Sequence, residues 1–117
     1  MKLHHIGINV SSLKHSKRFY QTLFGFKEVF TADIEGEEIV FLKRNEDWLE
    51  LIEDQDNGLS NSRVHFGWEK ADLEAEIKRL ARLDLAPVEG PIQLDNGWRA
   101  VFYKGPDGEL IELISIK

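Results

Sequence analysis

Residues 4–29, HHIGINVSSLKHSKRFYQTLFGFKEV, set the pattern from which the rest of the chain can be interpreted. Apolar residues alternate along residues 4–10, which indicates a strand. Ser11 or Ser12 can then cap a helix whose apolar residues fall at helical spacing and which ends at Gly25. The stretch therefore predicts a strand and an amphipathic helix, followed by a second strand at KEVFTADI.

The remaining strands complete one module and then repeat it. EEIVFLKR and WLELIE follow, and after the polar segment DQDNGLSNS the order recurs as RVHFGWE, ADLEAEIKRLARL, PVEGPIQL, WRAVFYK and ELIELISIK. The fold class predicted is α+β, with two tandem βαβββ modules at about residues 1–54 and 62–117 in a single domain. We expect these modules to form a curved mixed sheet with a concave metal-binding cleft.

The repeat is also visible in individual residues. His-x-Gly occurs at residues 5–7 and again 60 residues later at 65–67, and Leu-Glu-Leu-Ile at 49–52 is matched by Ile-Glu-Leu-Ile at 111–114. Each module therefore begins with a histidine strand and ends with a glutamate strand.

Composition excludes several classes of function. The formal net charge of −6 has the wrong sign for a broad nucleic-acid surface, and without cysteines any transition metal must be held by His, Asp or Glu. No run approaches the ~20 apolar residues that cross a bilayer. We expect a soluble, cytoplasmic protein with a small-molecule substrate and no membrane partner.

Four residues at matching places in the two modules carry the chemistry. His5 and His65 are expected on the concave faces, and Glu50 and Glu112 lie on mostly apolar strands, where an unpaired carboxylate costs several kcal/mol. A divalent cation would neutralise them. Nickel, cobalt, zinc, manganese and iron all suit such nitrogen and oxygen ligands. A lone histidine or glutamate in a strand is more often structural or solvated, as we expect for His4 on the helix-facing side, but four at equivalent positions favour a metal site.

Residues 4–29, together with GPDGELIELIS at 105–115, resemble the vicinal oxygen chelate superfamily. This superfamily includes glyoxalase I, bleomycin and fosfomycin resistance proteins, methylmalonyl-CoA epimerase and extradiol dioxygenases. The resemblance implies His5, Glu50, His65 and Glu112 as metal ligands, a set most similar to that of bacterial glyoxalase I. It further implies a homodimeric, metal-dependent lyase or isomerase that moves a proton through a metal-bound enediolate, with Glu112 as base and Glu50 as its partner.

The substrate is left open by two departures from the glutathione-using relatives. Those relatives carry Arg where this chain has Asn9 and Asn where it has Asp54. A different thiol, or a small dicarbonyl-like or hydroxy-acid substrate, is therefore compatible with the sequence. Asn9, Trp98 and Arg99 are the candidate substrate contacts.

Two alternatives remain beside the glyoxalase interpretation. One is a drug- or metabolite-binding protein of antibiotic-resistance type, for which four metal ligands are not required. The other is a thiol transferase of fosfomycin-resistance type, whose phosphonate contacts could only be Arg63, Arg99 and Lys104.

Overall fold

The computed structural model describes residues 3–34, 37–53 and 65–116, without the side chain of Ile34. The chain divides into two compact units, residues 1–61 (unit 1) and 62–117 (unit 2). The polar segment at 54–62, with Asp54, and the predicted start of the next strand at Arg63 and Val64 lie outside the described residues. Each unit has the strand, helix and three further strands that the sequence predicts.

Unit 1 is a four-stranded mixed sheet with one helix. Its elements are β1 (Ile6–Val10), α1 (Leu13–Phe24), β2 (Lys27–Ile34), β3 (Glu37–Arg44) and β4 (Asp47–Glu53). The strand order is β1-β4-β3-β2, in which β1 runs parallel to β4 and the other pairs are antiparallel. The first and last strands of the module are therefore neighbours.

Unit 2 repeats this arrangement. Its elements are β5 (His65–Glu69), α2 (Leu73–Arg82), β6 (Glu89–Gln93), β7 (Arg99–Lys104) and β8 (Leu110–Ser115). The order β5-β8-β7-β6 again sets the first strand parallel to the last. The predicted fold of two βαβββ modules is thus confirmed as two four-stranded mixed sheets with a helix each.

Both helices begin at a side-chain cap. The Ser12 hydroxyl accepts a hydrogen bond from the His15 N–H (3.2 Å), and the Asp72 carboxylate accepts one from the Ala75 N–H (3.1 Å). Gly25 ends α1 in the left-handed conformation (φ 74°), whereas Asp84 takes that conformation after α2 (φ 64°). Aspartate is one of the few non-glycine residues that adopt it readily.

The core of each unit lies on one face of its sheet. Leu49 and Leu51 of β4 are buried, and Glu50 between them points to the opposite face. In β8, Ile111 and Leu113 are likewise buried on either side of Glu112. Alternation along the last strand of each module thus holds the glutamate away from the core.

Candidate metal centre

The register of the parallel strands places a glycine beside each glutamate. Gly7 of β1 is opposite Glu50 of β4, and Gly67 of β5 is opposite Glu112 of β8. A Cβ on Gly7 would lie 2.9 Å from Glu50 Oε1, which is too close, so the glycine makes room for the carboxylate. The glycine of the first His-x-Gly therefore has a physical reason that the sequence alone did not reveal, whereas a Cβ on Gly67 would meet Glu112 Oε1 at an ordinary 3.6 Å.

The histidine of each unit lies next to the glutamate of the same unit. His5 Nε2 is 3.3 Å from Glu50 Oε1, and His65 Nε2 is 3.5 Å from Glu112 Oε1. The glutamate side chains are 14% and 17% exposed and the histidines 36% and 53%, so each pair opens to solvent at the imidazole. The structure thus brings the four predicted ligands together as two pairs, one in each unit.

The donor atoms of each pair suit a divalent ion. Two ligand atoms bound at about 2.0–2.2 Å to one ion stand roughly 2.8–3.6 Å apart at angles between 90° and 109°. The observed separations of 3.3 and 3.5 Å lie at the upper end of that range. Over residues 3–34, 37–53 and 65–116 there is no group of three or more metal-binding side chains around one point. Each pair is therefore compatible with half of a ligand set, and the four-residue site stays a prediction.

A phenylalanine flanks each glutamate on its other side. Phe41 of β3 is opposite Glu50, and Phe102 of β7 is opposite Glu112. These phenylalanines belong to a second repeat, Val-Phe-x-Lys at residues 40–43 and 101–104, which the sequence analysis missed. A search for repeated tetrapeptides in the middle strands would have found it.

Unit 1 has further aromatic side chains beside the phenylalanine that both units share. Phe30 stacks on Phe41 with ring centroids 4.9 Å apart, and the His5 ring meets Phe41 edge-on at 5.3 Å. Trp48 contacts Phe41 at 6.2 Å and carries the Lys43 ammonium 4.8 Å above its ring. Phe30, Phe41 and Trp48, here called the aromatic row, form an apolar surface beside the His5–Glu50 pair.

The prediction that His4 lies on the helix-facing side is wrong. β1 begins at Ile6, so the strand alternation on which that prediction relied does not extend back to His4. The His4 ring instead stacks on Trp48 (5.5 Å, 20°), and its Nδ1 lies 2.9 Å from His5 Nδ1. His4 therefore adjoins the predicted metal ligand.

The predicted substrate contacts have different surroundings. Asn9 is part-exposed on β1, two residues beyond Gly7 and hence on the same face. Trp98 precedes β7 and is exposed, with its backbone N–H donating to Asn96 Oδ1 (3.0 Å). Arg99 pairs with Glu74 of α2 (2.6 Å), which places its side chain on the helix-facing side of β7. A role in substrate binding stays a prediction for all three.

Comparison with known proteins identifies the family. Residues 2–113 match the model of the Glyoxalase/Bleomycin resistance protein/Dioxygenase superfamily, to which the chain therefore belongs. It is 32% identical over 84 residues to a probable trivalent organoarsenical cleaving enzyme of Bacillus subtilis. That alignment covers 72% of this chain and 56% of the relative, so the chain spans about half the length of that relative.

Solved structures show the same fold at low identity. A glyoxalase family protein from Enterococcus faecalis superposes with a TM-score of 0.87 at 23% identity, over 97% of both chains. The fosfomycin resistance protein FosX from Listeria monocytogenes, in complex with Mn(II) and sulfate, gives 0.80 at 18% over 99% of this chain and 90% of that one. TnmS3, an antibiotic-binding protein from Streptomyces, gives 0.78 at 20% over 98% and 95%. None of the helices among the described residues is long and apolar enough to cross a membrane.

Proposed function

We propose that the protein is a metal-dependent lyase or isomerase of glyoxalase I type, acting on a small substrate with neighbouring oxygens. The observation that carries this proposal is the same His–Glu pair in both units, at 3.3 and 3.5 Å, on structurally equivalent strands. In this proposal His5, Glu50, His65 and Glu112 hold one divalent ion. Nitrogen and oxygen ligands without sulfur suit nickel, zinc, manganese, cobalt or iron.

The four residues would have two roles, namely to bind the ion and to move a proton. A bound divalent ion polarises a substrate carbonyl and makes the neighbouring C–H more acidic. Glu112 then takes that proton at a carboxylate oxygen and returns it to the adjacent carbon, while Glu50 holds its position.

Packing around the two carboxylates supports this assignment. A Cβ on Gly67 would stand 3.6 Å from Glu112 Oε1, against 2.9 Å between Gly7 and Glu50. The Glu112 carboxylate therefore packs less closely against the glycine of the neighbouring strand than the Glu50 carboxylate does. A general base must move as it takes the proton and returns it. The less closely packed of the two carboxylates is better suited to this role.

The composition of the chain limits the chemistry that can be carried over from its organoarsenical-cleaving relative. Trivalent arsenic is a soft centre that binds thiolates, and the 117 residues include no cysteine. We therefore propose an oxygen-bearing organic substrate in its place, contacted by Asn9 and Trp98. Arg99 is left out of the proposed contacts because its side chain pairs with Glu74 on the helix-facing side of β7.

A binding protein for a drug or metabolite is the second candidate, and the aromatic row supports it. Phe30, Phe41 and Trp48 offer a surface on which a planar ligand could stack, with no need for turnover. This candidate predicts tight ligand binding that is unaffected by removal of metal, whereas the enzyme predicts that turnover stops.

We also propose a homodimer in solution. The outer strand β6 is exposed along its whole length, and the apolar side chains of Val88, Ile92 and Leu94 are exposed in and beside it. Apolar surface on an outer strand favours association with another chain. Sedimentation analysis should give twice the chain mass, and a monomer at assay concentration would contradict the proposal.

The proposed activity is tested with methylglyoxal and several thiols on metal-loaded protein. Glu112→Gln keeps a metal-binding oxygen but cannot accept a proton, so we expect kcat to fall about 10²–10⁴-fold. Glu50→Gln should reduce kcat less at saturating metal. Metal binding without turnover of any thiol adduct would contradict the glyoxalase activity, and an equal kcat loss in both variants would contradict the assignment of Glu112 as base.

A further inference from the structure

His4 adjoins the predicted ligand His5 in an arrangement that can determine which nitrogen of His5 is free. The two Nδ1 atoms lie 2.9 Å apart, a hydrogen-bond distance, so one ring donates and the other accepts. The other nitrogen of His5, Nε2, is the one that lies 3.3 Å from Glu50 Oε1. One nitrogen of the His5 ring therefore contacts His4, and the other faces the proposed metal position.

A neutral imidazole carries one proton, and this fixes what His4 must do when a metal binds. A ligand nitrogen must be unprotonated, so metal at Nε2 leaves the single proton of His5 on Nδ1. That proton then points at His4 Nδ1, which must act as the acceptor. Outer hydrogen bonds of this kind orient a ligating histidine and raise its basicity.

The His4 ring is held where it can accept this hydrogen bond. It stacks on Trp48 (5.5 Å between centroids, 20° between planes) and meets the His5 ring edge-on (5.2 Å, 88°). With the two Nδ1 atoms 2.9 Å apart, an N–H in the plane of His5 can reach the lone pair of His4 Nδ1. Trp48 in turn lies on the strand that carries Glu50.

The second repeat offers a comparison within the same chain. Sixty residues after His4 the sequence has Val64, whose side chain has no hydrogen-bonding atom. The position that supports His5 in unit 1 thus has no polar counterpart at the equivalent place before His65.

We propose that His4 is a positioning residue that accepts the Nδ1 proton of His5 and so keeps His5 Nε2 free to bind the metal. The inference rests on the proposed metal site and adds to it a residue outside the four ligands. It assigns His4 a role through His5 and no contact with the ion or substrate.

The test compares His4→Phe with a matched control. His4→Phe keeps an aromatic ring to stack on Trp48 but removes the acceptor, and His15→Phe makes the same change at an exposed position on α1. Zn²⁺ dissociation constants are measured by competition with a chelating dye, and the tautomers of His5 and His65 by long-range ¹H–¹⁵N spectra with and without Zn²⁺.

We expect Zn²⁺ affinity to fall about 10- to 100-fold in His4→Phe and to stay unchanged in His15→Phe. In Zn²⁺-loaded wild type, the spectra should show His5 protonated at Nδ1, with ¹⁵N–¹⁵N coupling across the hydrogen bond to His4. Wild-type affinity in His4→Phe, or no coupling between the rings, would overturn the inference while leaving the metal site intact. Failure of the wild type to bind Zn²⁺ would overturn the proposed function and this inference together.

Discussion

Gly7 and Gly67 occupy equivalent places, yet the structure predicts different outcomes when each is replaced by alanine. A Cβ on Gly7 would lie 2.9 Å from Glu50 Oε1, whereas one on Gly67 would lie 3.6 Å from Glu112 Oε1. Neither glycine has a positive φ, so alanine strains the backbone at neither position. The two substitutions therefore differ only in what the new methyl group meets.

Gly7→Ala would displace the Glu50 carboxylate by more than a metal site tolerates. An ordinary van der Waals contact of about 3.4 Å requires the carboxylate oxygen to recede by roughly 0.5 Å, and ligand distances are held to about ±0.2 Å. We expect Gly7→Ala to weaken Zn²⁺ or Ni²⁺ binding at least about tenfold, and Gly67→Ala to change it less than about twofold. Because the end of the Glu50 side chain is flexible, the thermal midpoint should hardly move.

Chelator competition on the two variants and wild type measures this difference, with thermal unfolding of the metal-free proteins as the check on folding. Equal metal affinities in Gly7→Ala and wild type would refute the reasoning that the glycine makes room for a metal-binding carboxylate. A large fall in Gly67→Ala alone would refute it as well.

Three further predictions concern stability. The Tyr103 hydroxyl is buried and has no hydrogen-bond partner among the described residues, so Tyr103→Phe should leave the free energy of unfolding unchanged or raise it by up to about 1–3 kcal/mol. Burial, with the negative charge of Glu76 nearby, raises the pKa of Tyr103; stability should therefore decline as pH rises above about 10, and less so in the variant. Urea unfolding at pH 8 and 10.5 checks both Tyr103 predictions. A clear fall in the free energy of unfolding of Tyr103→Phe at pH 8 would contradict the inference that the hydroxyl makes no stabilising hydrogen bond. Gly105→Ala would drive a methyl group into the fully buried Glu109 side chain and should cost about 1–3 kcal/mol in the same assay, and wild-type stability would contradict this.

The order of elements could be predicted from the sequence because local signals agree at each step. Ser12 and Asp72 cap the helices, and alternation marks the strands whose glutamates point away from the core. The sequence repeat further indicates that the same module occurs twice. These are properties of neighbouring residues, which is why composition and spacing were sufficient.

The contacts around the candidate site could not be predicted in the same way. The register of β1 against β4, which sets Gly7 beside Glu50, joins residues about 40 positions apart and depends on packing of the whole sheet. The prediction for His4 is wrong because the alternation of β1 does not extend to the residues that precede this strand. The pairing of Arg99 with Glu74 likewise depends on where α2 crosses the sheet.

The proposed function requires the two His–Glu pairs to bind one and the same metal ion. It is tested most directly by metal stoichiometry, measured by mass spectrometry on protein loaded with Ni²⁺ or Zn²⁺ and then desalted. We expect one ion per chain in wild type and loss of that ion in both His5→Ala and His65→Ala, since each removes a proposed ligand of the same ion. No ion in wild type, or full occupancy in either variant, would contradict it.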